Sequence, residues 1–203
     1  GKTTVYLEPL AVLLAQKSGR PVKMVMDRGD VFRATGPAPG AETRVKLGAT
    51  RDGKLVAADV ECLMDSGAYN GNPAGIPAFM ATACYKITDA RSSGRSVYTN
   101  KPKIHAYRAP SIPPVTLGLE LAITELAAEL GMDPIEFRLL NAVEEGDANM
   151  MGAPYNRIGL RECLEVARNH AHYKSAVAAG AGRGVAMGYW INAGMQSLSL
   201  IHI

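Results

Sequence analysis

The chain has 203 residues, 47% of them hydrophobic, and its 22 Lys+Arg against 19 Asp+Glu leave a net charge of only +3. That scattered balance gives no argument for nucleic-acid or membrane-surface binding, and no apolar run approaches the ~20 residues needed to span a bilayer. Three widely spaced cysteines, Cys62, Cys84 and Cys163, lack metal-ligand spacing and read as free thiols of a reducing, cytoplasmic compartment.

The chain opens on Gly1-Lys2-Thr3-Thr4, which has the look of the end of a phosphate-binding P-loop. A P-loop helix starting at Lys2-Thr3 would hold Pro9 in its second turn, where the ring removes a hydrogen bond and clashes. A helix starting at Glu8-Pro9 and stopped by Gly19 avoids this conflict. Val22–Met26 reads as a short strand ended by Asp27-Arg28-Gly29-Asp30, and Thr35–Gly40 as a Pro/Gly loop. Asp52-Gly53 predicts a two-residue hairpin. Pairing Arg51 with Lys54 sets Ala49 against Val56, Leu47 against Ala58 and Val45 against Val60 on one face. On the other face, the same register sets Lys46 against Asp59 and Arg44 against Glu61.

Asp65–Tyr69 leads into a Gly/Asn/Pro loop reaching Pro77. A helix over Ala78–Ala83 and a strand over Arg95–Thr99 follow. Residues before proline favour extended backbone, so the next helix is expected to start at Pro113 or Pro114 rather than at Ile112. Val115, Leu119, Ala122, Ile123, Leu126 and Leu130 form one stripe of that helix, with Leu117, Leu121 and Ala128 opposite. Such a helix is expected to be buried between two layers. Gly131 stops it, and Asp133 caps a second helix with Pro134 in its first turn. Leu160–His172 reads as an amphipathic helix and Gly184–Ile191 as a strand. Strands and helices mix without strict alternation, so the expected class is α+β, with mixed and antiparallel sheets. The opening at Gly1 and the apolar tail Leu198–Ile203 read as the ends of a fragment of a larger polypeptide.

Arg108, held between Tyr107 and Ala109-Pro110 ahead of the long helix, is the leading candidate for chemistry. Free backbone N–H groups at a helix start beside a fixed positive charge suit an anion such as a phosphate-bearing cofactor. The bland alternative is a structural arginine paired with a carboxylate such as Glu120. Glu120 lies off both apolar stripes and needs a partner: the arginine turn, backbone amides there, or water at a half-exposed position. His105 is a weaker acid–base candidate, since the sequence pairs no carboxylate or nucleophile with it, and His170 and His172 diverge on a helix.

Beside this reading stands a resemblance. The ordered set EPLAVLLAQKSGRPVKMVMDR, RDGKLVAADVECLMDSGAY, CYKI, VYTN, AYRAP, LGMDPIEFRLLN and GRGVAMGYW resembles the molybdenum-binding large subunit of the xanthine dehydrogenase, carbon monoxide dehydrogenase and aldehyde oxidase family. The resemblance implies molybdopterin carrying molybdenum, as a cytosine dinucleotide in bacterial members, with iron–sulfur clusters and FAD on partner subunits or domains. The implied activity is oxidative hydroxylation of a small molecule with oxygen from water. It also implies residues 1–175 as part of a first molybdopterin-binding half and 176–203 as the start of a second. Gly1, Arg108 and Ala109 match cofactor-pocket positions. Thr3 stands where xanthine-type members carry a substrate-binding glutamate, and Pro110 replaces a substrate-stacking aromatic. Ala109 takes the place of the copper-binding cysteine of carbon monoxide dehydrogenases. The family's catalytic glutamate falls beyond Ile203. A non-catalytic scaffold or subunit-interaction relative, and a P-loop nucleotide-binding protein, are the alternatives.

Overall fold

In the computed structural model, residues 7–105, 107 and 109–190 are described. The first helix, α1 (Glu8–Ser18), starts with Pro9 in its first turn and ends at Gly19, whose φ of 65° lets its N–H reach Ala15 O. These are the expected bounds. Val22–Met26, expected as a strand, joins no ladder among the described residues. The segment after it is not a mere turn but α2 (Arg28–Ala34). Asp27 accepts the Asp30 N–H while the Asp30 carboxylate accepts that of Asp27. This reciprocal cap uses Asp where Glu or Gln is the usual signal, which hides it in the sequence.

The sheet contains β1 (Ala41–Ala49), β2 (Leu55–Gly67) and β3 (Asp89–Tyr98), in the order β1-β2-β3. β1 and β2 are antiparallel; β2 and β3 are parallel. The predicted register holds from Arg44↔Glu61 to Leu47↔Ala58 and breaks at a bulge between Gly48 and Ala49. The connection is a three-residue loop rather than a two-residue turn. Gly53 N–H donates to Thr50 O, Thr50 N–H donates to Lys54 O, and Gly53 supplies the left-handed residue at φ 89°. Ala49 therefore faces Leu55, and Leu55 rather than Val56 enters the core. The facing charges take other partners: Arg91 of β3 pairs with Asp59 at 2.8 Å, and Arg44 turns along its own strand to Glu42.

α3 (Gly75–Met80) lies three residues earlier than expected and carries the chain over to the longer β3. α4 (Ile112–Glu129) packs across β1 closely enough that a Cβ on Gly118 would meet Thr43 Cγ2 at 2.8 Å. α4 begins at Ile112, not at a proline. The left-handed Ser111 before it turns the chain into the helix, so the pre-proline penalty is confined to its first two residues, Ile112 and Pro113. α5 (Pro134–Asn141) is capped as expected, with Asp133 accepting the N–H groups of Ile135 and Glu136. Val60, Met64, Val115, Leu119, Ile123 and Phe137 fill the space between sheet and helices. Buried Asn141 ties α5 to the hairpin: its carbonyl accepts from Leu55 N–H, and its amide donates to Gly53 O and Phe137 O.

The second apolar side of α4 is not covered in this chain, since Leu117 and Leu121 are 62% and 55% exposed. The helix expected over Leu160–His172 is broken into α6 (Leu160–Asn169) and α7 (Ala171–Lys174). His170 turns extended between them and accepts the His172 N–H through Nδ1. Residues 183–190 are not a sheet strand. They run extended with Val185, Met187 and Tyr189 packed inward in alternation, and no ladder forms among the described residues. The class is α+β, and no described helix is long and apolar enough to cross a membrane.

Candidate cofactor-binding turn

The segment leading to α4 is anchored to the end of β2. Gly67, at φ 70°, approaches so closely that a Cβ there would overlap Pro102 O. Beside it, Asp65 accepts hydrogen bonds from Lys101, Thr99 and Gly67 N–H. These bonds, led by Lys101, hold the Asp65 carboxyl down at about 2. His105 donates its N–H to Pro37 O and packs over Gly36. It serves as the contact between this segment and the Thr35–Gly40 loop.

Ala109 and Ser111 have φ of 52° and 61°, and among the described residues they alone combine positive φ with a side chain. Left-handed backbone costs such residues ~1–2 kcal/mol each, and persists only where neighbours over-determine it. Here the buried Ser111 donates its N–H to the Tyr107 hydroxyl at 3.0 Å, and Ile112 N–H closes onto Ala109 O at 3.2 Å. Pro113 and Pro114 have no N–H to offer. The free donors expected at the helix start are therefore absent, and the positive end of α4 does not by itself make an anion cradle. What the turn offers is a fixed, half-buried wall of small residues, Ala109 and Pro110. Gly1, Thr3 and Arg108 lie outside the described residues.

Glu120 is resolved differently from either sequence alternative. It is 5% exposed and paired with fully buried Arg138 of α5, through Nε at 3.0 Å and Nη2 at 2.8 Å to Oε2. Tyr85 donates its hydroxyl to Oε1, and Met187 donates its backbone N–H to Oε2 at 2.9 Å. Arg138 also donates to Pro134 O and Thr124 Oγ1. Burial, then the Glu120 charge, push the Tyr85 hydroxyl well above its ordinary value. The signal available in the sequence was an uncompensated carboxylate on a buried helix, one short turn before an arginine on another. The thiols of Cys62 and Cys84 are raised to about 11 and 12, chiefly by burial, which removes them as nucleophiles. Among the described residues no group of three or more His, Cys, Asp or Glu could hold a metal.

Residues 1–142 match the molybdopterin cofactor-binding domain family. The chain belongs to that family. It is 34% identical over 175 residues to the nicotinate dehydrogenase large molybdopterin subunit of Eubacterium barkeri, covering 84% of this chain and 41% of that one. It is also 34% identical over 172 residues to a xanthine dehydrogenase molybdenum-binding subunit of Escherichia coli O157:H7, covering 82% of this chain and 23% of that protein. Among solved structures, the aldehyde oxidoreductase of Desulfovibrio gigas aligns with a TM-score of 0.71 at 29% identity, over 81% of this chain and 18% of that one. The chain thus spans less than half the length of these relatives. Their names agree with the family resemblance drawn from the ordered motifs.

Proposed function

We propose that this chain forms one wall of the molybdopterin pocket in the large subunit of a molybdenum hydroxylase. The enzyme would insert water-derived oxygen at a C–H bond of an aldehyde or heterocycle. The match over residues 1–142 carries this reading, and the over-determined turn at Ala109 and Ser111 supports it. When bound, the cofactor supplies the oxygen-transfer and redox chemistry. Around it, Arg108 brings a permanent charge with a planar fork of donors suited to phosphate. The absence of free N–H groups in the first turn of α4 gives that guanidinium the larger share of anion binding on this wall. Ala109 keeps the turn thin, so backbone rather than bulky side chain meets the pterin, and the resemblance adds Gly1 to the same pocket. Thr3 and Pro110 stand at positions that the resemblance gives to substrate, with no glutamate or stacking ring there, which disfavours a purine.

In the same reading the cofactor is the cytosine dinucleotide form, and iron–sulfur and FAD subunits or domains carry the electrons away in the cytoplasm. Residues 1–175 belong to the first molybdopterin-binding half and 176–203 to the second. The full-length protein made in a host that synthesises the cofactor should contain molybdenum and pterin in equal amounts. A preparation with neither would overturn the reading. Arg108→Ala should lower retained cofactor on the order of tenfold, the equivalent of ~1.4 kcal/mol. Unchanged content would remove Arg108 from the pocket.

A further inference from the structure

The Glu120–Arg138 pair plays no part in the pocket just described, yet it is the most completely buried charge in the described chain. Every guanidinium nitrogen of Arg138 has an acceptor: Pro134 O for Nη1, Glu120 Oε2 for Nε, and Glu120 Oε2 with Thr124 Oγ1 for Nη2. Glu120 in turn binds groups from three separate parts of the chain: Tyr85 ahead of β3, Arg138 on α5, and the backbone of Met187. A buried pair of this kind adds little net stability over apolar residues of the same volume, because both ions lose their hydration. What it does impose is register. A one-turn slide of α4, about 5.4 Å, would bring Thr116 or Thr124 opposite Arg138 and leave the guanidinium without its counter-charge.

The close approach of Gly118 to Thr43 also marks the position of α4 along its axis, but it makes no link to the 183–189 segment. At its N-terminal end, the polar contact to the sheet is one long bond from Thr43 Oγ1 to Pro114 O at 3.4 Å. The Glu120 clasp thus helps to set where α4 sits, and with it the Ala109–Ser111 turn carried at the helix start. The clasp also holds the extended strap. Met187 is docked by Glu120, and Tyr189 meets Tyr155 edge to face at 5.9 Å. At the strap's start, Arg183 donates to Tyr173 O and Ser175 O. Glu120 therefore joins the cofactor turn to the 183–189 segment through one carboxylate.

We propose that Glu120 is a positioning residue that fixes the Ala109–Ser111 wall against the 183–189 strap and thereby governs how tightly the pterin cofactor is retained. The inference rests on the pocket reading above. Its test uses the full-length protein loaded in a cofactor-competent host, with thermal midpoint, molybdenum and pterin content, and pterin release rate measured together. The volume-conserving pair Glu120→Met with Arg138→Met should hold the midpoint within about 4 °C while releasing pterin about tenfold faster. Ile123→Val, in the same helix but outside the clasp, should lower the midpoint and leave release unchanged.

If the double variant does not fold, Tyr85→Phe provides a milder comparison, since it removes one bond to Glu120 Oε1 and keeps the charge opposite Arg138; release should again rise out of proportion to any change in midpoint. Release that follows the midpoint across all variants, or a double variant that retains cofactor as the wild type does, overturns the inference. A loaded wild type with either result leaves the pocket reading standing. A wild type without molybdenum and pterin overturns both.

Discussion

The two N-terminal helices and the α4–α5 pair differ in what they bury. α1 has its proline start and left-handed glycine stop, and α2 has a reciprocal capping box, yet neither buries a single residue. Leu13 of α1 is 60% exposed. α4 has no side-chain cap and no acid in its first turn, but buries Val115, Leu119, Ile123 and Ala127 against the sheet. End signals thus say where a helix starts and stops, while the surfaces it meets decide what it contributes to stability. In this chain the first kind of helix is stabilised locally, and the second by packing with a local cap added at α5.

Substitutions can break or sharpen that contrast. The largest effect is expected at Phe137, fully buried on α5, where Phe137→Ala should cost ~3–5 kcal/mol in urea unfolding of the 203-residue chain. Asp133→Ala comes next at ~1–2 kcal/mol, since its carboxylate caps two N–H groups and also accepts from the Tyr173 hydroxyl.

A smaller, pH-dependent effect belongs to Asp65. Its folded carboxyl titrates near 2, below the ordinary 3.8, so the ionised form is favoured by folding. That contribution is complete above 3.8 and is lost as the pH falls through about 2. Asp65→Asn should flatten the acid limb of the stability curve, read as the urea midpoint against pH. The smallest effect is expected for Leu13→Ala, within ~0.5 kcal/mol in the same chain. A Leu13→Ala cost equal to that of Phe137→Ala would erase the distinction between the two helix pairs.

Much of the fold was legible because its signals are local. Pro9 with Gly19, the alternation through Val45 and Val60, and Asp133 with Pro134 each act within a few residues. Contacts closed through space were not legible. Nothing near β3 says that it pairs parallel with β2, and Arg91 taking Asp59 follows only from that pairing. Glu120 announced a need for a partner, but Arg138 meets it only because Gly131 and Pro134 fold α5 back under α4. At the turn, the arginine and prolines drew attention correctly to the segment. The left-handed Ala109 and Ser111 were hidden, because neither residue type favours that backbone, and their geometry closes the very N–H groups expected to be open.

β2 is joined to its two neighbours by very different lengths of chain. The loop Arg51–Gly53 connects it to β1, while β3 is reached only after the whole passage from Ala68 to Thr88, with α3 on the way. Closing the short loop restricts little chain, so the β1–β2 ladder can form early and reform quickly. The parallel ladder with β3 needs the longer crossover to be organised first. In amide hydrogen exchange, the β3 edge should therefore lose protection before the hairpin does. β3 forms the edge of the sheet opposite β1, so such opening would leave the helix that carries the cofactor turn seated on β1.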